Sequence, residues 1–279
     1  MHFASLKQMD KNAKEPEDRL LSVFAFNYST NMESNQKKVE VCFSPAIFNC
    51  YENSEAIVVV VDILRATSAI CAAFINGAEA VIPVGTIEEA RSYKQNGYLV
   101  AAERDGIILD FADFGNSPFN FTSTQVGGKT VAYSTTNGTQ AIQMASSCYG
   151  VVVGAYLNIT ALTQWLISQK RNIIILCAGW KNKFSLEDSV FAGALTDKLI
   201  ESTYFNTNCD SALAAIDLWN IAKTDLSGYM NKAAQRFRLK SNGLDDCIDY
   251  CHTLDLTNIV PFYDSKKLVG IQVAEAAYS

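Results

Sequence analysis

The sequence predicts an α/β fold, a three-layer α/β/α arrangement around a largely parallel or mixed sheet. Three observations lead there. Short, β-branched apolar runs alternate with helix-length segments, the spacing of strands linked by covering helices. Three of the runs stop abruptly at polar clusters that open helix-like segments. A short repeat, Thr139-Gln140-Ala141-Ile142 after Thr67-Ser68-Ala69-Ile70, sits at the same place in two such stretches and points to an internal βαβα duplication.

The elements follow in order. Residues 38–43 alternate as an opening strand, ended by Ser44-Pro45. Residues 57–61 are continuously apolar, as in a strand buried on both faces. A helix is expected over 67–76, capped by Thr67 or Ser68 and stopped by Gly77. A strand over 80–84 follows, and Thr86 opens a helix with Glu88 and Glu89 in its first turn. The second unit repeats the plan, with a strand at 130–133, a helix running from Thr139 to near Gly150, a strand at 151–153 and a helix at 158–165. The third has a strand over 172–177 and a helix beginning near Ser185. Beyond Thr207, helices are expected at 212–222, 231–239 and 245–251.

Composition narrows the function. The chain has 279 residues, 49% of them hydrophobic, with a net charge of -6 and no Lys/Arg block. Nucleic acid is therefore excluded as an expected partner. No apolar stretch approaches the ~20 residues of a membrane span. The eight cysteines lie mostly in apolar runs and form no CxxC pair, which suits a reducing, cytoplasmic setting. Cys247, Cys251 and His252 lack the second ligand pair of a zinc site and read as helix surface and core. Residues 1–36 are mostly polar apart from an apolar patch at 20–26 and are expected to be a poorly ordered extension, with Met32 an alternative start.

In α/β proteins ligands sit beyond the carboxyl ends of strands, so the three polar clusters are the candidate site. Asp62 closes the first apolar run, where it serves as a turn residue or as a metal ligand or nucleophile. Arg65 either pairs with it or offers a planar fork to an anion. Thr135-Thr136-Asn137-Gly138-Thr139 combines hydroxyls, glycine and a helix start, as a capped turn or an anion cradle. Glu187 and Asp188 fall in a helix first turn, where the dipole favours acids, and could also ligate a metal. Glu103-Arg104-Asp105-Gly106 and Gly115-Asn116-Ser117-Pro118 are tight turns. Histidine chemistry at these loops is excluded, because the two histidines are His2 and His252. Gly127-Gly128-Lys129-Thr130 precedes its strand and has Ser123 where a P-loop needs Gly, so a hairpin-like turn is expected. Lys183, not Arg, follows Cys177 at the spacing of a cysteine phosphatase.

On these residues, with Val41-Cys42-Phe43-Ser44-Pro45, Val61 to Ser68, Cys177-Ala178-Gly179, Leu186-Glu187-Asp188 and Val260-Pro261, the chain resembles the 2-phosphosulfolactate phosphatase (ComB-like) family. The resemblance implies a phosphatase domain over 37–279, as one body or two lobes. It implies Mg2+-dependent hydrolysis of (2R)-O-phospho-3-sulfolactate to (2R)-3-sulfolactate and phosphate, a step of sulfonate metabolism and of coenzyme M biosynthesis. The site expected from it has Asp62, Glu187 and Asp188 around the metal and Glu103 as a further ligand or base. Arg65, Arg104 and Thr135, Thr136, Asn137, Gly138 and Thr139 hold anionic oxygens, and Asn116 orients substrate or water. Gln140 stands where the family pattern has Arg. Alternatives are a phosphatase for another phosphorylated hydroxy acid and a non-catalytic protein that binds an anionic metabolite. The expected partner is a small phosphorylated anion, and a homo-oligomer is left open.

Overall fold

In the computed structural model, which describes residues 36–274, an 11-stranded mixed sheet carries the fold. The expected extension over 1–36, and with it Met32, lies outside the described residues except for Gln36. The described residues from Lys37 onward form one compact unit.

In chain order the elements are β1 (Lys37–Cys42), β2 (Ile57–Val61), α1 (Ala66–Ile75), β3 (Ala80–Pro83), α2 (Ile87–Gln95), β4 (Leu99–Arg104) and β5 (Ile107–Ile108). Then come α3 (Ser123–Val126), β6 (Thr130–Ser134), α4 (Gly138–Met144), β7 (Gly150–Gly154), α5 (Ile159–Gln169), β8 (Ile173–Cys177), α6 (Leu186–Glu201) and β9 (Phe205–Asn206). The chain ends in α7 (Asp210–Ala222), α8 (Leu226–Met230), α9 (Ala234–Ser241), α10 (Ile248–Cys251), β10 (Ile259–Tyr263) and β11 (Leu268–Gln272).

The strand order is β5-β4-β6-β3-β11-β10-β7-β2-β8-β1-β9. The eight strands from β4 to β8 in this order read the same from either end once the two repeated units, and the two hairpin strands, are exchanged. In that exchange β2, β3 and β4 correspond to β6, β7 and β8. Each unit lends its second strand to the other: β2 pairs in parallel with β7, and β6 with β3. The antiparallel β10–β11 hairpin fills the centre, against β7 on one side and β3 on the other. The repeat in the sequence is thus a real duplication with exchanged strands, and the sheet is mixed because the hairpin reverses direction between two parallel halves.

Apolar alternation builds the three layers. Ile57, Val59 and Val61 of β2 face a core shared with α5, α6 and α7, whereas Val58 and Val60 face one shared with α1 and α4. All five are buried, and each contributes roughly 1.5–3 kcal/mol by leaving water. In the other half, Val100, Ala102 and Ala132 pack beneath α2 at Ala90 and Tyr93.

Several local expectations change. Helix α1 starts at Ala66 with Arg65 at its cap position, and neither Thr67 nor Ser68 caps it. Their hydroxyls serve the preceding turn instead: Thr67 Oγ1 accepts from the Asp62 N–H at 3.1 Å, and Ser68 Oγ donates to the Ile63 carbonyl at 2.9 Å. The second helix stops at Met144, and Gly150 opens β7 after a 3-10 turn over Ala145–Ser147. Gly127-Gly128 is no hairpin; it joins α3 to β6, and the Gly128 N–H donates to the Gly77 carbonyl. Both Gly77 (φ +81°) and Gly128 (φ +66°) hold left-handed backbone there. The helix expected over 231–239 begins at Ala234 and runs to Ser241 as α9, the short α8 before it was not expected, and the helix over 245–251 shortens to α10. No helix among the described residues is long and apolar enough to cross a membrane.

Candidate active site

Because β7, β10, β11 and β3 alternate in direction, β2 and β6 run oppositely. Their carboxyl ends nevertheless meet. A methyl group added to Gly138, at the start of α4, would lie 2.7 Å from the Ala66 Cβ and 2.9 Å from Asp62 Oδ2. A cavity of about 290 Å³ opens at this junction. The first transition gives it Asp62, Leu64 and Arg65, and the β4–β5 turn gives Glu103, Asp105 and Gly106. The second transition gives Thr135, Thr136 and Asn137, and the third gives Trp180 and Lys181. Asn116 joins them, and α9 closes the cavity with Gln235, Arg238 and Leu239.

Asp62 is 8% exposed. Its Oδ1 accepts from the Ala66 N–H at 3.4 Å, and the Gly138 N–H also donates to the carboxylate. Burial pushes the carboxyl up to about 7 against the Ala66 bond, and the negative charges of Glu187 and Glu103 push the same way. Glu103 is buried and raised by desolvation, opposed by the Gly106 N–H and by Arg65 and Arg104. Its Oε2 accepts from the Gly106 N–H at 2.6 Å, a bond made possible by the β4–β5 turn with Asp105 (φ 54°) and Gly106 (φ +83°) in left-handed backbone.

The acidic pair separates. Ser185 caps α6 by accepting from the Asp188 N–H. Both acids are then buried, yet neither lines the cavity. Asp188 instead clamps two backbones: Oδ1 accepts from the Ile63 N–H at 2.9 Å and Oδ2 from the Gly179 N–H at 3.0 Å. It ties the first transition to the third. Burial raises its carboxyl well above the ordinary range, and Glu187 and Asp62 add to this. Glu187 is likewise raised by burial, opposed by bonds at the helix start and by Arg238.

The other expected residues also divide. Arg65 lines the cavity, with Nη1 donating to the Leu244 carbonyl at 3.4 Å and to Cys247 Sγ at 3.9 Å. The bond from Cys251, together with the Arg65 charge, lowers the Cys247 thiol to about 7 despite burial. Cys247 and Cys251 are core, and His252 is buried with neither ring nitrogen hydrogen-bonded. Arg104 is not brought to the cavity; it donates to the Glu103 carbonyl at 2.7 Å and to Ser134 Oγ at 2.9 Å. Thr135 and Thr139 hold each other, the Thr139 N–H donating to Thr135 Oγ1 and the Thr135 N–H to Thr139 Oγ1, both at 3.3 Å. Thr139 and Gly138 therefore shape the loop, while Thr136 and Asn137 reach the cavity. Asn137 Oδ1 accepts from the Lys181 N–H at 3.0 Å. Asn116 Oδ1 accepts from the buried Tyr133 hydroxyl, which fixes its amide. Gln140 is exposed and outside this cavity.

Trp180 falls in the third polar cluster of the sequence, but Lys181, Gln235, Arg238 and Asn242 were not singled out. Lys181 follows directly on that cluster. Nothing local marks α9 as a cavity wall, because its pattern is that of an ordinary surface helix.

Among the described residues, no three of His, Cys, Asp and Glu are grouped so as to hold a metal by themselves. What the cavity offers is two buried carboxylates, Asp62 and Glu103, with Glu187 outside its lining, and the charges of Glu187 and Glu103 raise Asp62. That surplus of negative charge fits a hard divalent cation of the kind that takes one or two carboxylates and completes its shell with phosphate and water.

The family profile described as 2-phosphosulpholactate phosphatase matches residues 42–266. A Thermotoga maritima protein is 38% identical over 203 residues, covering 73% of this chain and 87% of its own length. One from Caldanaerobacter subterraneus is 36% identical over 208 residues, covering 73% and 86%. One from Clostridium botulinum is 30% identical over 247 residues, covering 84% and 100%. All three carry the name "Probable 2-phosphosulfolactate phosphatase".

Proposed function

The chain belongs to the 2-phosphosulpholactate phosphatase family, and on that premise we propose a magnesium-dependent phosphomonoesterase that hydrolyses (2R)-O-phospho-3-sulfolactate to (2R)-3-sulfolactate and phosphate. The observation that carries this reading is Asp62, a buried carboxylate held up at about 7 beside a cavity that also presents the Arg65 guanidinium. A carboxylate so raised by burial and by its acidic neighbours lacks a compensating positive charge, and a divalent cation would supply it.

Asp62 would hold the magnesium, with Glu187 and Glu103 as its neighbouring carboxylates. When bound, the ion neutralises charge on the phosphoryl oxygens and the departing oxygen. The chain's own residues do the rest. Arg65 faces phosphoryl oxygens with a planar fork of donors, joined by Thr136 and Asn137. Glu103, its carboxyl raised by burial, takes the proton of the attacking water. Asn116, its oxygen held by Tyr133, lines the cavity and would orient substrate or water. Arg104 supports Glu103 from behind rather than touching substrate. The eight free thiols suit the cytoplasm as the setting.

Phosphate release from a panel of phosphorylated hydroxy acids, with magnesium or with EDTA, tests the reading. Release from phosphosulfolactate that disappears with EDTA is expected. Release untouched by EDTA would remove the metal, and ligand binding without release from any substrate would leave an anion-binding protein.

A further inference from the structure

We infer that Arg238 is the specificity-determining residue of this site, reading the sulfonate of the substrate while Arg65 engages the phosphate. The inference rests on the phosphomonoesterase reading above and assigns a role to a helix that the sequence motifs leave out.

Three features set Arg238 apart. Arg238 is a half-buried residue of the cavity wall, and its guanidinium stacks on the Trp180 ring, with Cζ 4.5 Å from the ring centroid. Its Nε donates to Gln235 Oε1 at 2.6 Å. Among the described residues no carboxylate lies within ion-pair distance of it, and the charge of Glu187 acts on it from beyond that distance. The neighbouring Lys181 differs, because its Nζ is paired with Asp105 at 2.9 Å. With one face covered and Nε engaged, Arg238 presents the fork of its two terminal nitrogens, the shape that takes two oxygens of one oxyanion.

Gln235 sets where that fork stands. The same side chain that accepts from Arg238 donates through Nε2 to the Leu64 carbonyl at 3.0 Å. Arg238 is therefore tied, through one amide, to the residue preceding Arg65. Two guanidinium groups on a single cavity, held in fixed relation, suit a ligand with two separated oxyanions. A sulfonate stays ionised at every physiological pH and is weakly hydrated, which matches guanidinium better than ammonium.

The test compares wild type with R238M and R238K on phosphosulfolactate and on O-phospholactate, which lacks only the sulfonate. The loss of kcat/KM in R238M should be greater on the sulfonated substrate by about tenfold or more, chiefly through KM, with partial rescue in R238K. Equal losses on both substrates would overturn the assignment and leave Arg238 reading the carboxylate or shaping the wall. Calorimetric binding of 3-sulfolactate to both proteins separates this from failure of the phosphatase reading. Without turnover of any substrate, binding to wild type that weakens about tenfold in R238M still supports the role of Arg238. Absent or equal binding overturns it. Thermal melting of each variant checks the fold.

Discussion

Gly138 faces Asp62 so closely that a side chain of one carbon would stand 2.9 Å from its Oδ2. The glycine is there for space, since its φ lies outside the left-handed region. Its absent side chain lets the starts of two helices, from halves of the sheet running in opposite directions, share one carboxylate.

G138A should therefore move Asp62 and lower kcat/KM by about a hundredfold, the cost of a misplacement near 1 Å. Its loss of stability should be only about 1–3 kcal/mol, typical of overpacking. Steady-state kinetics beside denaturant unfolding checks both, and an unchanged kcat/KM would mean that Asp62 is not the reacting-site carboxylate.

Asp188 should behave as a clamp. Its loss in D188A leaves two buried N–H groups, of Ile63 and Gly179, without acceptors, and should destabilise by roughly 2–5 kcal/mol. D62N should keep most of its stability and lose activity by about a thousandfold. If D188A instead unfolded like wild type and lost only magnesium affinity, Asp188 would be a ligand and the clamp a minor feature.

The metal-free protein should lose stability as pH rises. Asp62 moves from an unfolded value of 3.8 to about 7 when folded, so the native state binds more protons between those values. Its contribution is present below about 4 and is gone above about 7. Glu103, Glu187 and Asp188 are also raised and act in the same sense. Melting temperature should fall from pH 5.5 to 8, less steeply in D62N and less steeply with magnesium. A melting temperature that climbs over this range would show that these carboxylates are ionised in the folded state at low pH.

Q235M should cut the link between Arg238 and the Leu64 carbonyl while keeping the side-chain volume. It should raise KM for phosphosulfolactate about threefold to tenfold with little change in kcat. A fall in kcat with unchanged KM would place Gln235 with the reacting groups.

The parts of the fold legible in the sequence were those carried by local pattern. β2 and β8 were plain as continuous apolar runs, Thr86 and Ser185 as helix caps, and the Thr67 and Thr139 repeat as a duplicated unit. The β10–β11 hairpin was not legible. It sits in the middle of the sheet with Pro261 in β10 opposite Gly270 of β11, residues that argue against a central strand on sequence grounds.

The candidate site divides the same way. The sequence by itself determined which residue types stand where strands open into helices, and so named Asp62, Arg65, Glu103, Asn116, Thr136 and Asn137, all of which line one cavity. Only the tertiary structure decided which of their neighbours turn inward. Asp188 and Thr139 look as suitable as Asp62 on paper, yet buried backbone N–H groups 125 and 4 residues away claim their oxygens. Arg238 looks like any surface arginine until α9 is laid across the cavity and Trp180 covers one face of its guanidinium. The physical reason is the same in each case. A polar group becomes functional or structural according to whether the folded chain leaves its hydrogen bonds unfilled. For Asp188 and Arg238 that is settled by contacts between segments distant in sequence, and for Thr139 by the loop's own turn.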